Sequence, residues 1–331
     1  MRPTQIYYEP TTLEYPLGKE LKAKFSDIPW IPIMNHNNIE ELRTKENSEF
    51  PELKQLLIIG TRKTHKYVEN HKVSDFLVPF TSSGCTAMCL YCYLVCNYNK
   101  CSYLRLFVNR EQMMERLIRN SNRSTKELTY EIGSNSDLIL ENTITNNLPW
   151  IIENFMKSQK GKLTFPSKFS MVEPLLTLNH QGRVIFRMSV NPESIIREIE
   201  LGTSSLEHRV EAINKMADAD YNVGILIAPV ILVDNWKELY SELFDYLEAK
   251  LSEKMKKQMF IEVIFMTYSF VHRKINADAF PDSRELYDAE KMTGRGMGKY
   301  CYRNNLRQDG EIFIHDELER RFGIGKILYI C

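Results

Sequence analysis

The sequence predicts an α/β protein whose main body is a partial (β/α)6 barrel, preceded by an N-terminal layer and followed by a C-terminal β-hairpin extension. Two observations indicate this fold class. Six short runs rich in β-branched and aromatic residues alternate with amphipathic helical patterns, and strands that alternate with helices pair in parallel. The 331 residues are 43% hydrophobic and 26% charged, which is sufficient for one large buried core.

The elements follow from hydrophobic periodicity taken along the chain. Residues 1–75 are predicted to form a separate, partly irregular layer, 76–270 the barrel, and 271–331 the extension. Apolar residues three and four positions apart indicate helices, and short apolar runs between turn residues indicate strands. The predicted strands are 76–80, 128–132, 162–165, 184–190, 222–228 and 259–265. One predicted helix begins after the cap residue Asn109, and the others span 147–157, 192–199, 206–219 and 236–257.

Composition excludes several classes of protein. No stretch approaches 18 apolar residues and the N-terminus has no apolar signal region, so neither a membrane span nor a signal peptide is expected. Seven cysteines without a secretory signal fit a reducing cytoplasm better than a disulfide framework. The 43 basic and 43 acidic residues balance, so any contact with nucleic acid must come from a local patch. We expect a cytoplasmic monomer.

Three cysteines share one short loop, Cys85-Thr-Ala-Met-Cys89-Leu-Tyr-Cys92. The C-x3-C-x2-C spacing supplies three thiolates, whereas a [4Fe–4S] cluster usually has four protein ligands. One iron is therefore left for a small molecule, as in enzymes that cleave S-adenosylmethionine (AdoMet) to a radical. We predict that these cysteines hold the cluster and that AdoMet is the second cofactor. Three buried cysteines and a zinc site completed by Cys96 or Cys101 are the alternatives.

Polar side chains lie at the carboxyl ends of three predicted barrel strands, and Ala228 ends a fourth. In parallel barrels the chemistry gathers at this end. Taken singly, a serine here could be a helix N-cap and the lysine a solvated cation. Their shared placement favours a ring of groups around AdoMet. These residues are Ser134, Ser136, Lys168, Ser189, Asn191 and Ala228.

The segment 291–307 carries five basic residues and no acidic residue. Its three alternate glycines disfavour a helix. If 299–303 is a strand, Lys299 and Arg303 share one face and Tyr300 and Tyr302 the other. Cations that alternate with aromatic rings suit phosphate contacts combined with base stacking. The alternative is an ordinary strand with a charged, solvated face.

Taken together, these features resemble the spore photoproduct lyase family, radical AdoMet enzymes that repair a thymine dimer of UV-irradiated spore DNA. The resemblance covers nearly the whole chain. It is carried by Tyr8-Glu9-Pro10-x-x-Leu13-Glu14-Tyr15-Pro16-Leu17-Gly18, Gly60-x-Arg62-Lys63-Thr64, the cysteine loop with Tyr91 and Tyr93, Lys168, Arg187-x-Ser189-x-Asn191, Gly202-Thr203-Ser204, Ala228-Pro229 and Gly298-Lys299-Tyr300-x-Tyr302-Arg303.

The resemblance implies a carbon–carbon lyase that returns 5-thyminyl-5,6-dihydrothymine to two thymines through a 5′-deoxyadenosyl radical. It implies UV-damaged double-stranded DNA as substrate, both bases being flipped out of the duplex, and a flavodoxin or ferredoxin as electron donor. The hairpin at 299–303 would open the DNA, and Tyr93 would lie in the hydrogen-transfer path. The implied catalytic residues are Tyr91, Tyr93 and Ser134, and the implied AdoMet residues are Tyr91, Ser136, Lys168, Ser189, Asn191 and Ala228.

Two departures from the family pattern leave the substrate open. The family donates a hydrogen atom from a cysteine where this chain has Ser134, and a serine O–H bond is too strong for that role. After the sixth strand, the family's Gln-His-Arg run is replaced by 265–267, Phe-Met-Thr. A relocated donor is one reading, with Tyr93, Cys96 and Cys101 as candidates. The others are a different nucleic-acid lesion, an RNA or peptide substrate, and a damaged-DNA binding module with a structural cluster.

Overall fold

The computed structural model describes residues 2–96 and 103–331, except for the side chain of Cys96, so Cys101 and that side chain lie outside the described residues. The strands are β1 (Gln5–Tyr8), β2 (Trp30–Pro32), β3 (Leu56–Gly60), β4 (Val68–Glu69), β5 (Phe76–Leu77), β6 (Ser82–Ser83), β7 (Leu104–Phe107), β8 (Thr129–Glu131), β9 (Lys162–Ser167), β10 (Val184–Val190), β11 (Asn222–Val230), β12 (Phe260–Phe265), β13 (Thr267–Ser269), β14 (Met292–Gly296), β15 (Lys299–Tyr302) and β16 (Ile327–Ile330). The helices are α1 (Pro16–Lys24), α2 (Glu40–Arg43), α3 (Phe50–Leu53), α4 (Arg110–Arg123), α5 (Leu138–Thr145), α6 (Asn147–Phe155), α7 (Glu193–Ile199), α8 (Leu206–Asp218), α9 (Trp236–Lys250), α10 (Glu253–Gln258), α11 (Phe270–Ala279) and α12 (Asn304–Phe322).

The largest sheet is the partial barrel, with strand order β16-β12-β11-β10-β9-β8-β5-β4. All neighbours from β16 to β5 run parallel, and β4 pairs antiparallel with β5. The six predicted strands are therefore confirmed as β5 and β8 to β12, and the predicted fold class is confirmed. The sequence analysis did not predict β4 and β16.

Two of the predicted helices differ in the structure, and several observed helices were not predicted. The predicted helix 236–257 is interrupted after α9: Leu251 is extended and the Ser252 hydroxyl accepts a hydrogen bond from Met255 N at the start of α10. Asn109 does precede α4, but its side chain donates to the Arg62 carbonyl instead of capping the helix. Helix α5 was not predicted.

The barrel core lies between the sheet and its helices. Phe165 on β9, Phe186 on β10, Ile213 on α8 and Phe244 on α9 are each 0% exposed. Each such side chain contributes about 1.5–3 kcal/mol relative to an exposed position. This burial keeps the strands in register, so their carboxyl ends form one continuous rim.

The N-terminal layer is a five-stranded sheet with order β2-β1-β3-β7-β6. Leu57 of β3 lies between Ile6 of β1 and Leu104 of β7, all three fully buried. Such continuous apolar runs are typical of parallel strands covered on both faces. Because β6 and β7 follow residue 75, the sheet crosses the predicted boundary and continues directly into the cysteine loop.

The C-terminal extension contains the predicted hairpin and then returns to the barrel. Strands β14 and β15 pair antiparallel, with β13 as a third strand. Met297 forms the tip with a φ of 48° between two glycines of positive φ, a conformation that glycine adopts readily. After α12, β16 pairs with the outer edge of β12. Within the described residues, no helix is both long and apolar enough to span a bilayer.

Candidate active site at the mouth of the barrel

The cysteine loop lies at the carboxyl ends of the barrel strands. Cys85, Cys89 and Cys92 line one cavity of about 510 Å³. The loop is held by main-chain hydrogen bonds at both ends: Gly84 N donates to Asn135 O at 2.7 Å, and Leu90 N to Ile199 O at 2.9 Å. The fold thus brings the three predicted cluster ligands to one side of one cavity.

The chemistry of these thiols fits a cluster. Burial raises the pKa of Cys85 to about 12 and also raises the pKa of Cys89, so both are neutral thiols until a cation binds. A structural zinc site would need four ligands around one ion, with sulfur at about 2.3 Å and nitrogen at about 2.0–2.1 Å. Among the described residues, no group of three or more His, Cys, Asp or Glu side chains is arranged to hold a single ion. Three thiols that line one cavity of this size suit the larger iron–sulfur cluster.

A buried carboxylate, Glu200, organises the wall beside the loop. Lys168 Nζ donates to Glu200 Oε1 at 2.9 Å, to Ser189 Oγ at 2.5 Å and to Ala228 O at 2.7 Å. Tyr91 donates its hydroxyl hydrogen to Glu200 Oε1 at 2.5 Å. One carboxylate therefore connects the cysteine loop to groups at the ends of three strands.

Burial of Glu200 is offset by two cations. Arg209 Nη2 lies 2.7 Å from Glu200 Oε2 as an ion pair without hydrogen-bond alignment, and both side chains are 0% exposed. Burial alone would raise the pKa of Glu200, but Lys168 and Arg209 lower it to about 2. The carboxylate is thus charged at neutral pH. Sequence reasoning missed Glu200, although it interrupts an apolar pattern two residues before Gly202.

Asn191 lies behind the wall formed by Lys168 and Glu200. It is 0% exposed, donates to Glu200 Oε1 at 2.8 Å and accepts from the Tyr240 hydroxyl at 3.1 Å. It does not line the cavity, unlike the five other predicted AdoMet residues, Tyr91, Ser136, Lys168, Ser189 and Ala228. The amide is therefore placed to position Glu200.

The floor of the cavity carries a second charged group. Arg187 donates to Glu131 Oε2 at 2.6 Å and to both Glu262 oxygens at 3.1 Å. Tyr329 of β16 donates to Glu262 Oε1 at 2.5 Å and lines the cavity. Arg187 Nε is buried without a hydrogen-bond partner among the described residues. Arg187 on β10 thus links the carboxylates of β8 and β12.

The two residues predicted around hydrogen transfer meet in the wall of the same cavity. The Tyr93 hydroxyl donates to the Ser134 carbonyl oxygen at 2.6 Å, and both residues line the cavity. Tyr93 is 57% exposed. The Ser136 hydroxyl lies deeper, 2.6 Å from the Ser82 hydroxyl. A phenol therefore stands beside the position where the family's pattern has a thiol.

The hairpin residues divide into exposed and buried sets. Lys299 is exposed, and the exposed Arg303 donates to the Ala289 carbonyl oxygen at 3.0 Å. The ring of Tyr300 packs on Tyr287 at a centroid distance of 4.4 Å. Tyr302 is only 4% exposed and its hydroxyl accepts from a main-chain N–H at 2.9 Å. The Tyr302 ring is therefore part of the core and does not lie on the surface predicted to contact DNA.

A partial (β/α)6 barrel that carries a C-x3-C-x2-C loop at its mouth belongs to the radical AdoMet class of enzymes. The family model for spore photoproduct lyase matches residues 1–331, and the chain therefore belongs to the spore photoproduct lyase family. Membership makes it a radical AdoMet lyase, with a [4Fe–4S] cluster and AdoMet as cofactors.

Individual relatives and solved structures match over almost the whole chain. The spore photoproduct lyase of Bacillus subtilis (strain 168) is 33% identical over 325 residues, covering 96% of this chain and 94% of the relative. The spore photoproduct lyase of Geobacillus sp. (strain Y412MC61) is 29% identical, covering 99% of this chain and 98% of the relative. A spore photoproduct lyase complexed with dinucleoside spore photoproduct has a TM-score of 0.91 at 28% identity and 99% coverage of both chains. A mutant with bound AdoMet and the same lesion gives the same TM-score, identity and coverage.

Proposed function

We propose that this protein reverses the spore photoproduct in UV-damaged double-stranded DNA, returning 5-thyminyl-5,6-dihydrothymine to two thymines. One observation supports this most strongly. A solved lyase complexed with the dinucleoside lesion is similar over 99% of the chain, with a TM-score of 0.91. Membership in a family of lyases also argues against a DNA-binding module with a purely structural cluster.

The cofactors, when bound, would supply a 5′-deoxyadenosyl radical for hydrogen abstraction from the lesion. The residues of the cavity would hold and shield them. Lys168 and Ser189 present polar groups that Glu200 orients, and the buried Asn191 fixes Glu200 in turn. The proposed cluster ligands are Cys85, Cys89 and Cys92, and the proposed AdoMet-lining residues are Tyr91, Ser136, Lys168, Ser189 and Ala228.

Tyr93 is the proposed source of the hydrogen atom that completes the thymine product. Its phenol is held at the Ser134 carbonyl, within the cavity wall. The Ser134 hydroxyl cannot replace a thiol because its O–H bond is too strong. The role of Ser134 is therefore to hold Tyr93 through its main-chain oxygen.

The partners follow from this chemistry. Exposed Lys299 and Arg303 would contact DNA phosphates, and a flavodoxin or ferredoxin would supply the electron. The proposed oligomeric state is a monomer. The five cysteines described as free thiols fit a cytoplasmic location.

Incubation of the reduced, reconstituted enzyme with AdoMet and a dinucleotide spore photoproduct tests the proposal. The expected product is thymidylyl-thymidine. Formation of 5′-deoxyadenosine without this product would show an active radical enzyme with another substrate. A different nucleic-acid lesion is the second candidate, because Ser134 and the Phe-Met-Thr run at 265–267 depart from the family pattern.

A further inference from the structure

A second cavity, of about 320 Å³, lies between the hairpin, the start of α12 and the end of β12. It shares Lys72 and Ile264 with the active-site cavity, so the two adjoin. We call it the cation cavity, because Lys72, Arg295 and Arg307 line it.

These three cations come from separate parts of the chain. Lys72 lies between β4 and β5, Arg295 on β14 and Arg307 on α12. Of the described residues that line the cation cavity, none is acidic. The remaining wall is formed by Ile264, Phe265, Met266, Thr267, Cys301, Tyr302 and Cys331. A concave wall with three positive charges and no negative side chain favours an anion.

The hydrogen-bond donors of this wall are largely available. Within residues 2–96 and 103–331, Arg295 has no hydrogen-bond or ion-pair partner. Arg307 pairs through Nε with Glu311 at 2.7 Å, which leaves its two Nη groups for a ligand. Lys72 Nζ lies 3.0 Å from Cys331 Sγ, and a thiol is only a weak acceptor. An anion would therefore gain charge-assisted hydrogen bonds without displacing strong ones.

We propose that the cation cavity binds a backbone phosphate of the strand that carries the lesion. This inference rests on the proposed function, which places the lesion in the adjoining cavity. Phosphate contacts set the position of a nucleic acid on a protein, and arginine binds phosphate in a bidentate manner. Residues 265–267, where this chain lacks the family's polar run, form one wall of the cavity. The hairpin and α12 supply the cations there instead.

Two forms of the lesion test the proposal: the dinucleoside, which has no phosphate, and the dinucleotide with internal, 5′ and 3′ phosphates. The reconstituted enzyme with AdoMet should bind the phosphorylated form about tenfold more tightly, the size expected for charge-assisted hydrogen bonds. Arg295→Gln and Arg307→Gln should each reduce this ratio severalfold and leave the affinity for the dinucleoside unchanged. Arg295 is exposed and unpaired in the described part of the chain, so its variant should fold normally.

Arg320→Gln is the matched control, since Arg320 is on the same helix as Arg307 but outside the cation cavity. It should keep the full ratio. Equal binding of both lesions by the native enzyme, or an unchanged ratio in both variants, would overturn the phosphate site alone. If the native enzyme binds the phosphorylated lesion more tightly than the dinucleoside but forms no thymidine product, only the proposed reaction would be overturned. Binding of neither lesion would overturn both.

Discussion

At the scale of single residues, Glu200 controls the geometry of the proposed AdoMet wall. Its carboxylate contacts Lys168, Tyr91, Asn191 and Arg209. A buried charge is tolerated only when it is paired and hydrogen-bonded. Removing this charge would leave the buried Arg209 and the half-buried Lys168 without their carboxylate partner.

Glu200→Gln should lower the free energy of unfolding at pH 7 by about 3 kcal/mol. The pKa of Glu200 falls from 4.5 to about 2 on folding, so its contribution is complete above pH 4.5 and is lost as the pH falls towards 2. The difference between native protein and variant in urea unfolding should therefore shrink below pH 4.5. Glu242→Gln, which replaces an exposed glutamate, should change neither the free energy of unfolding nor its dependence on pH. A difference independent of pH would contradict this account.

Cys89→Ala should abolish cluster binding. Anaerobic reconstitution of the native protein should give about four irons and four sulfides per chain. The variant should give far less iron and lose the electron paramagnetic resonance signal of the reduced cluster. Cys301→Ala, outside the loop, should keep its iron, and full iron in Cys89→Ala would refute the assignment.

Tyr93 and Ser134 should differ sharply on substitution. Tyr93→Phe removes the proposed hydrogen donor, so product analysis should show radical adducts in place of most of the thymine product. Ser134→Ala keeps the carbonyl that holds Tyr93 and should leave product yield largely intact. Clean repair by Tyr93→Phe would show that the hydrogen atom comes from elsewhere.

At the scale of elements, the hairpin combines an exposed strand edge with a buried anchor. Tyr302 fixes β15 to the barrel through the main chain after β11, while Lys299 remains exposed beside the tip. The charged Lys299 is thus carried by a strand whose other end is anchored in the core. The Tyr302 end of the hairpin is therefore fixed to the barrel.

Lys299→Ala should weaken DNA binding and reduce the slope of log affinity against log salt by about one unit. Tyr302→Phe should instead lower stability by about 1 kcal/mol through the lost hydroxyl, without changing the slope. Lys250→Ala, at the far end of α9, is the control for general charge. Fluorescence anisotropy across a salt series measures the slope, and an unchanged slope in Lys299→Ala would argue against a nucleic-acid substrate.

At the scale of the whole molecule, the C-terminal extension completes the barrel. Strand β16 pairs with β12, and its Tyr329 reaches the cavity floor. Helix α12 approaches the barrel closely at Gly310, where an added Cβ would lie 2.8 Å from the Phe265 ring. The C-terminal extension and the barrel that holds the active-site cavity are thus packed together as one unit.

Gly310→Ala should lower the free energy of unfolding by about 1–3 kcal/mol, because the overpacked ring of Phe265 must shift. Helix propensity alone would predict a gain of about 1 kcal/mol, so the sign distinguishes the two effects. Gly294→Ala, with no atom within 4 Å of the added Cβ, is the matched control. Thermal unfolding of both variants provides the measurement, and a stabilised Gly310→Ala would contradict the close contact.

Much of this architecture was predictable from local patterns. The six central strands were visible because apolar runs and turn residues are short-range features. The cysteine loop was visible because its spacing lies within eight residues, Cys85 to Cys92. Elements with little local signal, such as β4, β6 and β16, were not found.

The sequence by itself determined the barrel, the cluster loop and the resemblance to a repair family, since these depend on order and spacing along the chain. Only the tertiary structure revealed Glu200 beneath Lys168 and separated buried Tyr302 from exposed Lys299. It alone brought Lys72, Arg295 and Arg307 to one cavity. The physical reason is that burial and charge pairing depend on contacts between residues distant in sequence, which parallel strand pairing creates and periodicity does not encode.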